Sequence, residues 1–448
     1  MDLLEAARAL IAADTVSHKG TSAAVDVLRP LYVSAGLATL VQEVTKGGAR
    51  HQNLLGTLPG TEAESLLLVT HLDTVDPGAP ELWTRTGANP WALTRDGDTL
   101  YGLGSADTKL DALCKLTAAE TFRDRKLRRS LQLLGTFEEE VGCKGALHFA
   151  ASPDFRAKFV ACSEPSELTI IHAHKGYAVV TCEVTLPEGE RLDGPFIRIT
   201  TEGKSAHSST PHLGINAIER ALGESGRFPL VSLSGGTVSN KVPARCVRVE
   251  PQRTGLIGEA CTLDNARNAR PLANLAARLF SAWKALAAQQ QPEQHTAFDP
   301  SISVVNWGVA HIEGTNARLT FDCRLLPGHE PTALIQSFTR EANALVTSAG
   351  GRLRIDIERA SPAMELLEPS ALLEGARAAC RDIGLPDTPA AKPTNTEAGV
   401  FARAGVEAIV FGPGRSTGNA HTPNEHNLLS QLEKAIEFYK ALISRLCL

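Results

Sequence analysis

The sequence has no CxxC pair and few aromatic residues, and these two shortages exclude several classes of protein. Its 9 cysteines are scattered singly, a poor pattern for a disulfide framework or a zinc ribbon. We expect them to be buried free thiols in a reducing cytosol. Aromatic residues make up only 5% of the chain, so a base-stacking surface for single-stranded nucleic acid is not expected.

A basic excess and a long apolar run are also missing. The chain carries 45 Lys and Arg against 50 Asp and Glu, a net charge of -5, whereas a phosphate-backbone binder normally has a basic face. No apolar run approaches the ~18 residues of a membrane span. The first residues, with Asp2 and Glu5, predict an amphipathic helix rather than a signal peptide. We therefore predict a cytoplasmic protein with no nucleic-acid partner and no membrane partner.

The order of helical and strand patterns predicts two domains, one inserted into the other. The 448 residues are 43% hydrophobic and 21% charged, as in soluble globular proteins. Residues 1–175 alternate helices with short apolar strands, which indicates a mostly parallel sheet. Residues 176–327 contain alternating strands typical of antiparallel sheets, and the first pattern returns at residues 328–448. The prediction is an α/β catalytic domain built from residues 1–175 and 328–448, with an α+β domain inserted at 176–327.

The first buried strand ends in a histidine and an aspartate two residues apart. His71 and Asp73 point to the same side of an extended chain. Imidazole is a good zinc ligand, and a neighbouring carboxylate can orient its ring. Taken alone, however, this pair is better explained as an ordinary hydrogen-bonded histidine at a strand end.

A glycine-rich turn precedes the next helix and presents Asp107. Gly102-Leu103-Gly104 invites a dinucleotide-binding interpretation, but the third glycine is missing and no apolar strand leads into the turn. The turn instead brings Asp107 to the carboxyl edge of the predicted sheet. Taken alone, Asp107 is most simply a helix N-cap.

Three consecutive carboxylates follow the second strand. Glu138, Glu139 and Glu140 repel one another unless a cation is bound or one of them is protonated. A solvated acidic loop is the ordinary alternative. A metal site would give two of them different tasks, one as a ligand and one as the acceptor of a proton from water.

Five candidate ligands converge because all of them follow predicted strands, and open α/β sheets place their sites at the carboxyl ends of strands. They are His71, Asp107, Glu140, Glu164 and His421. Two imidazoles and three carboxylates form a mixed set that suits two divalent ions sharing a carboxylate. The set has too few soft ligands for copper(I) and too much imidazole for a magnesium site.

Six segments, in order over almost the whole chain, resemble the M20 metallopeptidases. They are THLDTV, GLGSADTK, FEEEVGCKG, CSEP, GKSAHSSTPHLGINAI and AHTPNEH. The resemblance implies that His71 and Glu164 bind one metal ion and that Glu140 and His421 bind another. It implies that Asp107 bridges the two ions and is followed by a cis peptide bond. It also implies that Asp73 supports His71 and that Glu139 is the general base.

The same resemblance identifies the inserted domain as a lid and dimerisation domain. It implies that His207 polarises the scissile carbonyl, often in the active site of the other subunit, and that Asn240 and Arg324 contact the substrate. An ordinary lid turn and a strand salt bridge are the alternatives for His207 and Arg324. The chain departs from the family where Leu110 and Asp111 follow Lys109, in place of the usual glycine, and where extra helix separates Asn240 from Arg324. A third departure, Thr394-Asn395-Thr396-Glu397 in a substrate-facing loop, leaves specificity open.

These observations predict a metal-dependent amidohydrolase with two divalent ions, zinc first, with cobalt or manganese as alternatives. The expected substrate is an N-acyl amino acid, as in acetylornithine deacetylase, and a short peptide is the alternative, as in a carboxypeptidase or dipeptidase. A homodimer is expected. A binding protein without catalysis is disfavoured because both Glu139 and Glu140 are present. A nicotinamide oxidoreductase is disfavoured because the glycine motif is incomplete.

Overall fold

The computed structural model describes residues 2–289 and 294–448, which form two compact units. The first unit comprises Met1–His174, Met364–Lys392 and Thr396–Leu448. The second comprises Lys175–Ala363 and Pro393–Asn395. Within the described residues, no helix is long and apolar enough to cross a membrane.

The helices of the described chain belong to both units. They are α1 (Leu3–Ala12), α2 (Ser22–Ser34), α3 (Lys109–Glu120), α4 (Lys144–Ala150), α5 (Ala217–Ser225), α6 (Arg270–Gln289), α7 (Pro331–Ser348), α8 (Ala371–Asp382), α9 (Ala398–Arg403) and α10 (Leu429–Cys447). Helices α5, α6 and α7 lie in the second unit, and the others lie in the first.

The strands form one large sheet in each unit and a small three-stranded sheet in the first. They are β1 (Ala38–Lys46), β2 (Ala49–Leu58), β3 (Gly60–His71), β4 (Thr94–Asp96), β5 (Thr99–Tyr101), β6 (Leu127–Thr136), β7 (Ala157–Cys162), β8 (Ile171–His174), β9 (Gly176–Thr185), β10 (Phe196–Glu202), β11 (Ser232–Gly235), β12 (Arg245–Pro251), β13 (Glu259–Cys261), β14 (Val304–Glu313), β15 (Asn316–Leu325), β16 (Arg352–Ser361), β17 (Met364–Glu365), β18 (Ala390–Lys392), β19 (Glu407–Val410) and β20 (His426–Leu428).

The large sheet of the first unit has a parallel centre and antiparallel edges. Its order is β1-β2-β6-β3-β7-β19-β8-β17, with β18 beside β8. The neighbouring pairs in β6-β3-β7-β19 are parallel, whereas β1, β2, β8 and β17 join in antiparallel fashion. The predicted α/β sheet is therefore confirmed, and its parallel strands precede four of the five candidate ligands, the exception being Asp107.

Both faces of this sheet are covered, which explains the nearly continuous apolar strands. Along β3, Leu66 and Leu68 pack on one side against a core that includes helices α1, α2, α3, α8 and α10. Leu67 and Val69 alternate to the other side and pack with residues of α4 and α9. A strand buried on both faces needs apolar residues at every position. It therefore lacks the alternation of apolar and polar residues that is typical of a strand with one exposed face.

The second unit is an antiparallel sheet with helices packed against it. Its strand order is β13-β10-β12-β11-β14-β15-β9-β16. Buried residues of α5, α6 and α7 form one core with β9, β14 and β15, in which the rings of Trp283 and Phe338 lie 5.0 Å apart. The predicted α+β character of the inserted domain agrees with this arrangement.

The second unit extends beyond the predicted boundary at residue 327. Strand β16 pairs with β9 along its whole length, and α7 packs against α6. The compact unit therefore runs to Ala363 and also takes in Pro393–Asn395. The helix and strand after residue 327 look the same in either kind of domain, so the local pattern did not reveal where they pack.

All nine cysteines lie within the described residues and are free thiols, as expected. Eight are buried, and Cys261 is partly exposed.

Candidate active site

Four of the five predicted ligands follow parallel strands of the first unit, whereas Asp107 follows β5 of the small three-stranded sheet, which differs from the expectation. His71 is the last residue of β3, Glu139 and Glu140 follow β6, and Glu164 follows β7. His421 lies in the loop after β19. Neighbouring parallel strands end at the same edge, so residues far apart in sequence meet there.

The His71 ring is buried between two aspartates. Its Nδ1 lies 3.0 Å from the backbone carbonyl of Asp73, and its Nε2 lies 3.0 Å from Oδ1 of Asp107. Burial acts to lower the pKa of His71, but the carboxylates of Asp107, Glu139 and Asp73 together outweigh it and hold the pKa well above its usual value. The Nδ1 proton goes to a carbonyl, so the Nε2 atom is directed to the side of Asp107.

The Asp73 carboxylate lies beside the ring of His71 and also supports a loop. Its Oδ1 lies 3.7 Å from Nδ1 of His71. The same carboxylate accepts hydrogen bonds from the backbone N–H groups of Glu139 and Glu140, at 2.9 and 3.3 Å, and from the Ser17 hydroxyl at 2.7 Å. Asp73 thus fixes the segment that carries the two glutamates. The two-residue spacing predicted that His71 and Asp73 share a side of the strand. It did not predict the hydrogen bonds of Asp73 to Glu139 and Glu140.

Asp107 lies between two imidazoles. Its Oδ1 faces Nε2 of His71 at 3.0 Å, and its Oδ2 faces Nε2 of His421 at 3.1 Å. Burial acts to raise the pKa of Asp107, but the two histidines outweigh it and hold the pKa well below the usual range. The peptide bond between Asp107 and Thr108 is cis, as the resemblance implied.

The loop that carries Asp107 is held by a distant glutamate and by a close-packed glycine. Oε1 of Glu425 accepts the backbone N–H groups of Ala106 and Asp107, at 2.8 and 3.0 Å. Burial raises the pKa of Glu425 to about 7. Gly104 has φ +82°, and a Cβ there would come within 2.9 Å of the Lys109 side chain. Only glycine fits this turn without strain.

The three consecutive glutamates have separate surroundings, which relieves their repulsion. Glu138 turns away, with its carboxylate 3.1 Å from Lys144 and 3.7 Å from Lys46. Glu140 places Oε1 3.1 Å from Nε2 of His421. The strong attraction of Glu140, together with Asp107, raises the pKa of His421 to about 12 against the effect of burial.

Glu139 is buried, and its surroundings suit proton transfer. Its side chain is 8% exposed, and its Oε1 lies 3.6 Å from the thiol of Cys143. Burial raises the pKa of Glu139 well above its usual value, and the neighbouring Glu164 and Glu140 add to the shift. A carboxylate with a raised pKa is a stronger base than an exposed one.

Glu164 is paired with a lysine that the sequence did not reveal. Nζ of Lys392 donates to Oε2 of Glu164 at 2.9 Å. Burial raises the pKa of Glu164, and the lysine opposes this rise. Lys392 comes from β18, at the far edge of the sheet, so no local motif pointed to it.

Glu397 is a second site residue that received no role from the sequence. It is 3% exposed, and its Oε2 accepts the Thr136 hydroxyl at 3.0 Å. Burial raises the pKa of Glu397 to about 7. Its Oε1 is buried without a hydrogen-bond partner. Glu397 belongs to the segment Thr394-Asn395-Thr396-Glu397, which departs from the family pattern. That departure was the sequence feature that could have pointed to it.

Two overlapping triads of side chains could each hold a metal ion. One is His71, Asp107 and Glu164, and the other is Asp107, Glu140 and His421. Within each triad, one ligand atom from every residue lies within 4.8 Å of the others. The chemistry of this donor set, imidazole nitrogen and carboxylate oxygen with one shared carboxylate, fits a pair of divalent cations. His71 also groups with Glu139 and Glu140.

His421 has an uncommon backbone conformation. Its φ is 59°, in the left-handed region that non-glycine residues seldom adopt. Such conformations persist where the surrounding structure holds them, and they are frequent at functional sites.

The remaining predicted residues lie in the second unit. The backbone N–H of Ser209 donates to Nδ1 of His207 at 3.1 Å, and the Ser209 hydroxyl lies 2.7 Å from the same nitrogen. A backbone N–H can only donate, so Nδ1 is the acceptor and the neutral ring carries its proton on Nε2. Asn240 is exposed, and its backbone carbonyl accepts the N–H of Ser208 at 3.0 Å.

Arg324 is engaged in a buried ion pair. Its Nε lies 3.4 Å from Oδ1 of Asp322, and its Nη2 donates to the Ser208 hydroxyl at 3.3 Å. The guanidinium also stacks on the Tyr177 ring, with 3.3 Å between Cζ and the ring centroid. Of the two interpretations left open by the sequence, these contacts favour the salt bridge.

Known proteins resemble this chain in sequence. Residues 67–445 match the sequence model of peptidase family M20/M25/M40. It is 34% identical over 227 residues to the acetylornithine deacetylase of Yersinia pestis, covering 48% of this chain and 52% of that protein. It is 31% identical over 296 residues to that of Klebsiella pneumoniae, covering 57% and 71%. The chain thus spans about half the length of the first of these relatives.

Solved structures share the fold. One is the aminoacylhistidine dipeptidase of Vibrio alginolyticus, with a TM-score of 0.68 and 15% identity over 99% of this chain and 96% of that one. Another is the M20 family metallo-carboxypeptidase of Sulfolobus solfataricus, with a TM-score of 0.64 and 18% identity over 99% and 98%. At these identities the likeness shows the fold alone. Because the family description covers most of the sequence, the chain belongs to peptidase family M20/M25/M40.

Proposed function

We propose that the protein is a metal-dependent amidohydrolase that removes the acyl group from an N-acyl amino acid. The observation that carries this proposal is the pair of triads sharing Asp107 beside the buried Glu139. The substrate class is supported by the similarity to acetylornithine deacetylases.

Two divalent cations would be held by the two triads, with zinc as the first candidate and cobalt or manganese as alternatives. His71 and Glu164 would bind one ion, Glu140 and His421 would bind the other, and Asp107 would join both. When bound, such ions polarise a carbonyl and lower the pKa of water from ~15.7 towards ~7. A structural neighbour from Bacillus subtilis is described as a dinuclear metal binding peptidase, which supports this number of ions.

Glu139 acts as the general base and then as the general acid. Its carboxylate takes a proton from the attacking water as the new carbon–oxygen bond forms at the amide carbonyl. It returns that proton to the leaving nitrogen as the carbon–nitrogen bond breaks, which yields a carboxylic acid and a free amine. Burial raises the pKa of Glu139, which makes its carboxylate a stronger base for the first step.

His207 donates from Nε2 to the oxyanion that develops on the carbonyl. The hydrogen bond from the Ser209 N–H to Nδ1 favours this tautomer. The lid of the family suggests a homodimer in which this histidine serves the partner's site. Asn240 is favoured over Arg324 as the contact for the substrate carboxylate, because the guanidinium of Arg324 is buried against Asp322.

Cleavage of a short peptide by a carboxypeptidase or dipeptidase is the second candidate. Peptide cleavage would use the same metal ligands and the same general base, Glu139. It is supported by the structural neighbours, which are described as a metallo-carboxypeptidase and a dipeptidase. The deciding experiment is a panel of N-acetyl amino acids and dipeptides, assayed with zinc, cobalt and manganese after chelation. Acetate release from an acetyl amino acid, with dipeptides inert, supports the deacylase. The reverse result supports the peptidase, and inactivity on the whole panel with every metal counts against both.

A further inference from the structure

A buried ion pair in α3 lies behind the candidate metal site. The side chains of Asp111 and Lys115 are each 2% exposed, and Nζ of Lys115 lies 3.3 Å from Oδ2 of Asp111. Two buried charges are costly to desolvate, and apolar residues of similar volume often stabilise a fold as well or better. Stability alone therefore does not account for this pair, and its contacts suggest another role.

The lysine reaches the ends of two ligand-bearing strands. Its Nζ donates to the backbone carbonyl of Val69 at 2.5 Å, to the Thr70 hydroxyl at 3.0 Å and to the Ser163 hydroxyl. An ammonium group has three N–H donors, and these three acceptors satisfy all of them. Lys115 thus joins β3 to the residue that follows β7.

The aspartate accepts hydrogen bonds from hydroxyl groups of two other segments of the chain. Its Oδ2 accepts the hydroxyl of Ser163 at 2.5 Å and that of Tyr439 at 2.7 Å. The oxygens of Thr70 and Ser163 lie 2.9 Å apart. Because the only hydroxyl proton of Ser163 goes to Asp111, Thr70 is the donor in this last bond. These bonds set the directions of the Ser163 and Thr70 hydroxyl groups, while Oδ1 of Asp111 is buried without a hydrogen-bond partner.

The members of this network adjoin one triad in particular. Thr70 directly precedes His71, and Ser163 directly precedes Glu164. Helix α3, which carries Asp111 and Lys115, begins two residues after Asp107. The network therefore connects the backbone segments that carry His71, Asp107 and Glu164. These three segments are separate in the sequence.

We propose that Asp111 and Lys115 are positioning residues that hold His71, Asp107 and Glu164 in place for one of the two metal ions. This inference rests on the proposed function, because it assumes that each triad binds an ion. It predicts a selective effect: breaking the network weakens the ion of this triad and spares the ion of Asp107, Glu140 and His421. Residues that support metal ligands in this way typically contribute about 10- to 100-fold to affinity.

The main test compares Thr70→Val with Thr70→Ser. The valine has nearly the same shape as threonine but lacks the hydroxyl, whereas the serine keeps the hydroxyl. Metal content is measured by mass spectrometry after dialysis against graded chelator. The wild type should keep two ions, Thr70→Val should lose one of them at a lower chelator concentration, and Thr70→Ser should restore it.

The affected ion is assigned by combining Thr70→Val with changes of single ligands. In a His421→Ala background the remaining ion belongs to the triad of His71, so Thr70→Val should weaken it by about 10-fold or more. In a Glu164→Gln background the remaining ion belongs to the other triad, and its affinity should not change. Equal weakening in both backgrounds, or in neither, overturns the inference.

The ion pair itself is tested with the double replacement Asp111→Asn and Lys115→Met, which leaves no unpaired charge. The control is Arg248→Met with Glu250→Gln in the second unit, where the charged atoms lie 3.0 Å apart and Glu250 also pairs with Arg253. Only the first double variant should lose one ion selectively. If it unfolds, the Thr70 variants decide. A wild-type chain that never binds two ions overturns the proposed function and this inference with it. A wild type with two ions and an unselective Thr70→Val overturns this inference alone.

Discussion

Both units bury charged side chains, but they balance them differently. In the second unit, Glu250 is fully buried and lies 3.0 Å from both Arg248 and Arg253. At the strand edge of the first unit, buried carboxylates crowd together, and the partner of Glu164 is Lys392. Burial raises the pKa of several of these acids; they are Asp73, Glu139, Glu164, Glu397 and Glu425.

This difference separates charges that hold a fold from charges that prepare a reaction. A buried acid with its own arginine has part of its desolvation compensated within the protein, as at Asp322, where Arg324 opposes the rise in pKa that burial causes. A cluster of acids with too few cations has raised pKa values and attracts a divalent ion, a pattern that marks functional sites. The comparison predicts that substitutions in the carboxylate cluster of the first unit affect metal binding and turnover. Substitutions in the arginine–carboxylate pairs of the second unit should affect stability.

The largest expected effect is on turnover. Glu139→Gln keeps the shape of the side chain but cannot accept the proton, so kcat should fall by about 10²- to 10⁴-fold while both metal ions stay bound. The control is Glu138→Gln, because Glu138 pairs with Lys144 and turns away from the site. Steady-state kinetics and metal analysis check both variants. Near-normal turnover in Glu139→Gln would remove the residue from the base role.

The next effect is on stability in the second unit. Arg324→Met leaves Asp322 buried without its cation and should cost about 3–5 kcal/mol of unfolding free energy, with metal content unchanged. Urea denaturation measures the loss. If stability is kept and KM rises instead, Arg324 contacts the substrate, and the implication of the family resemblance holds after all.

Metal removal should destabilise the loops of the carboxylate cluster in the first unit. A divalent ion at 100 times its dissociation constant stabilises the folded state by about 2.7 kcal/mol for one site. Hydrogen exchange should slow on metal addition in the loops around Asp107 and Glu139 and should change little in α6 of the second unit. Equal protection throughout both units would remove the proposed distinction.

The smallest expected effect concerns the lid histidine. Ser209→Ala removes one hydrogen bond to Nδ1 of His207 but keeps the backbone N–H, so the loss in transition-state free energy should be about 1 kcal/mol. The ¹⁵N chemical shifts of the ring should still report a proton on Nε2. A switch to the Nδ1–H tautomer would contradict the role given to the backbone.

The sequence predicted much of this cluster because strand ends and residue chemistry are local features. Parallel strands place His71, Glu140 and Glu164 at one edge wherever the sheet forms. The partners of those residues were not predictable in the same way, since Lys392 and Glu397 arrive from segments more than 200 residues later. The contact of the Asp73 carboxylate with the loop of Glu139 was also not predicted, because two-residue spacing gives a side of the strand but not a hydrogen-bond partner.

The extent of the second unit shows the same limit. Helix α7 and strand β16 follow a pattern that fits either unit, and only their pairing with β9 and packing on α6 assign them. Packing between distant segments is a tertiary property, so local periodicity could not place the boundary at Ala363.

The hydrogen bond from Ala106 to Glu425 has a consequence for the order of events during synthesis. The two residues are 319 positions apart, and a ribosome adding about 5–20 residues per second needs roughly 15 to 60 seconds to cover that distance. Until then the loop of Asp107 lacks its support, and His421 is also still to come. Metal loading thus waits for nearly the whole chain, so an interrupted translation product would not capture a second ion.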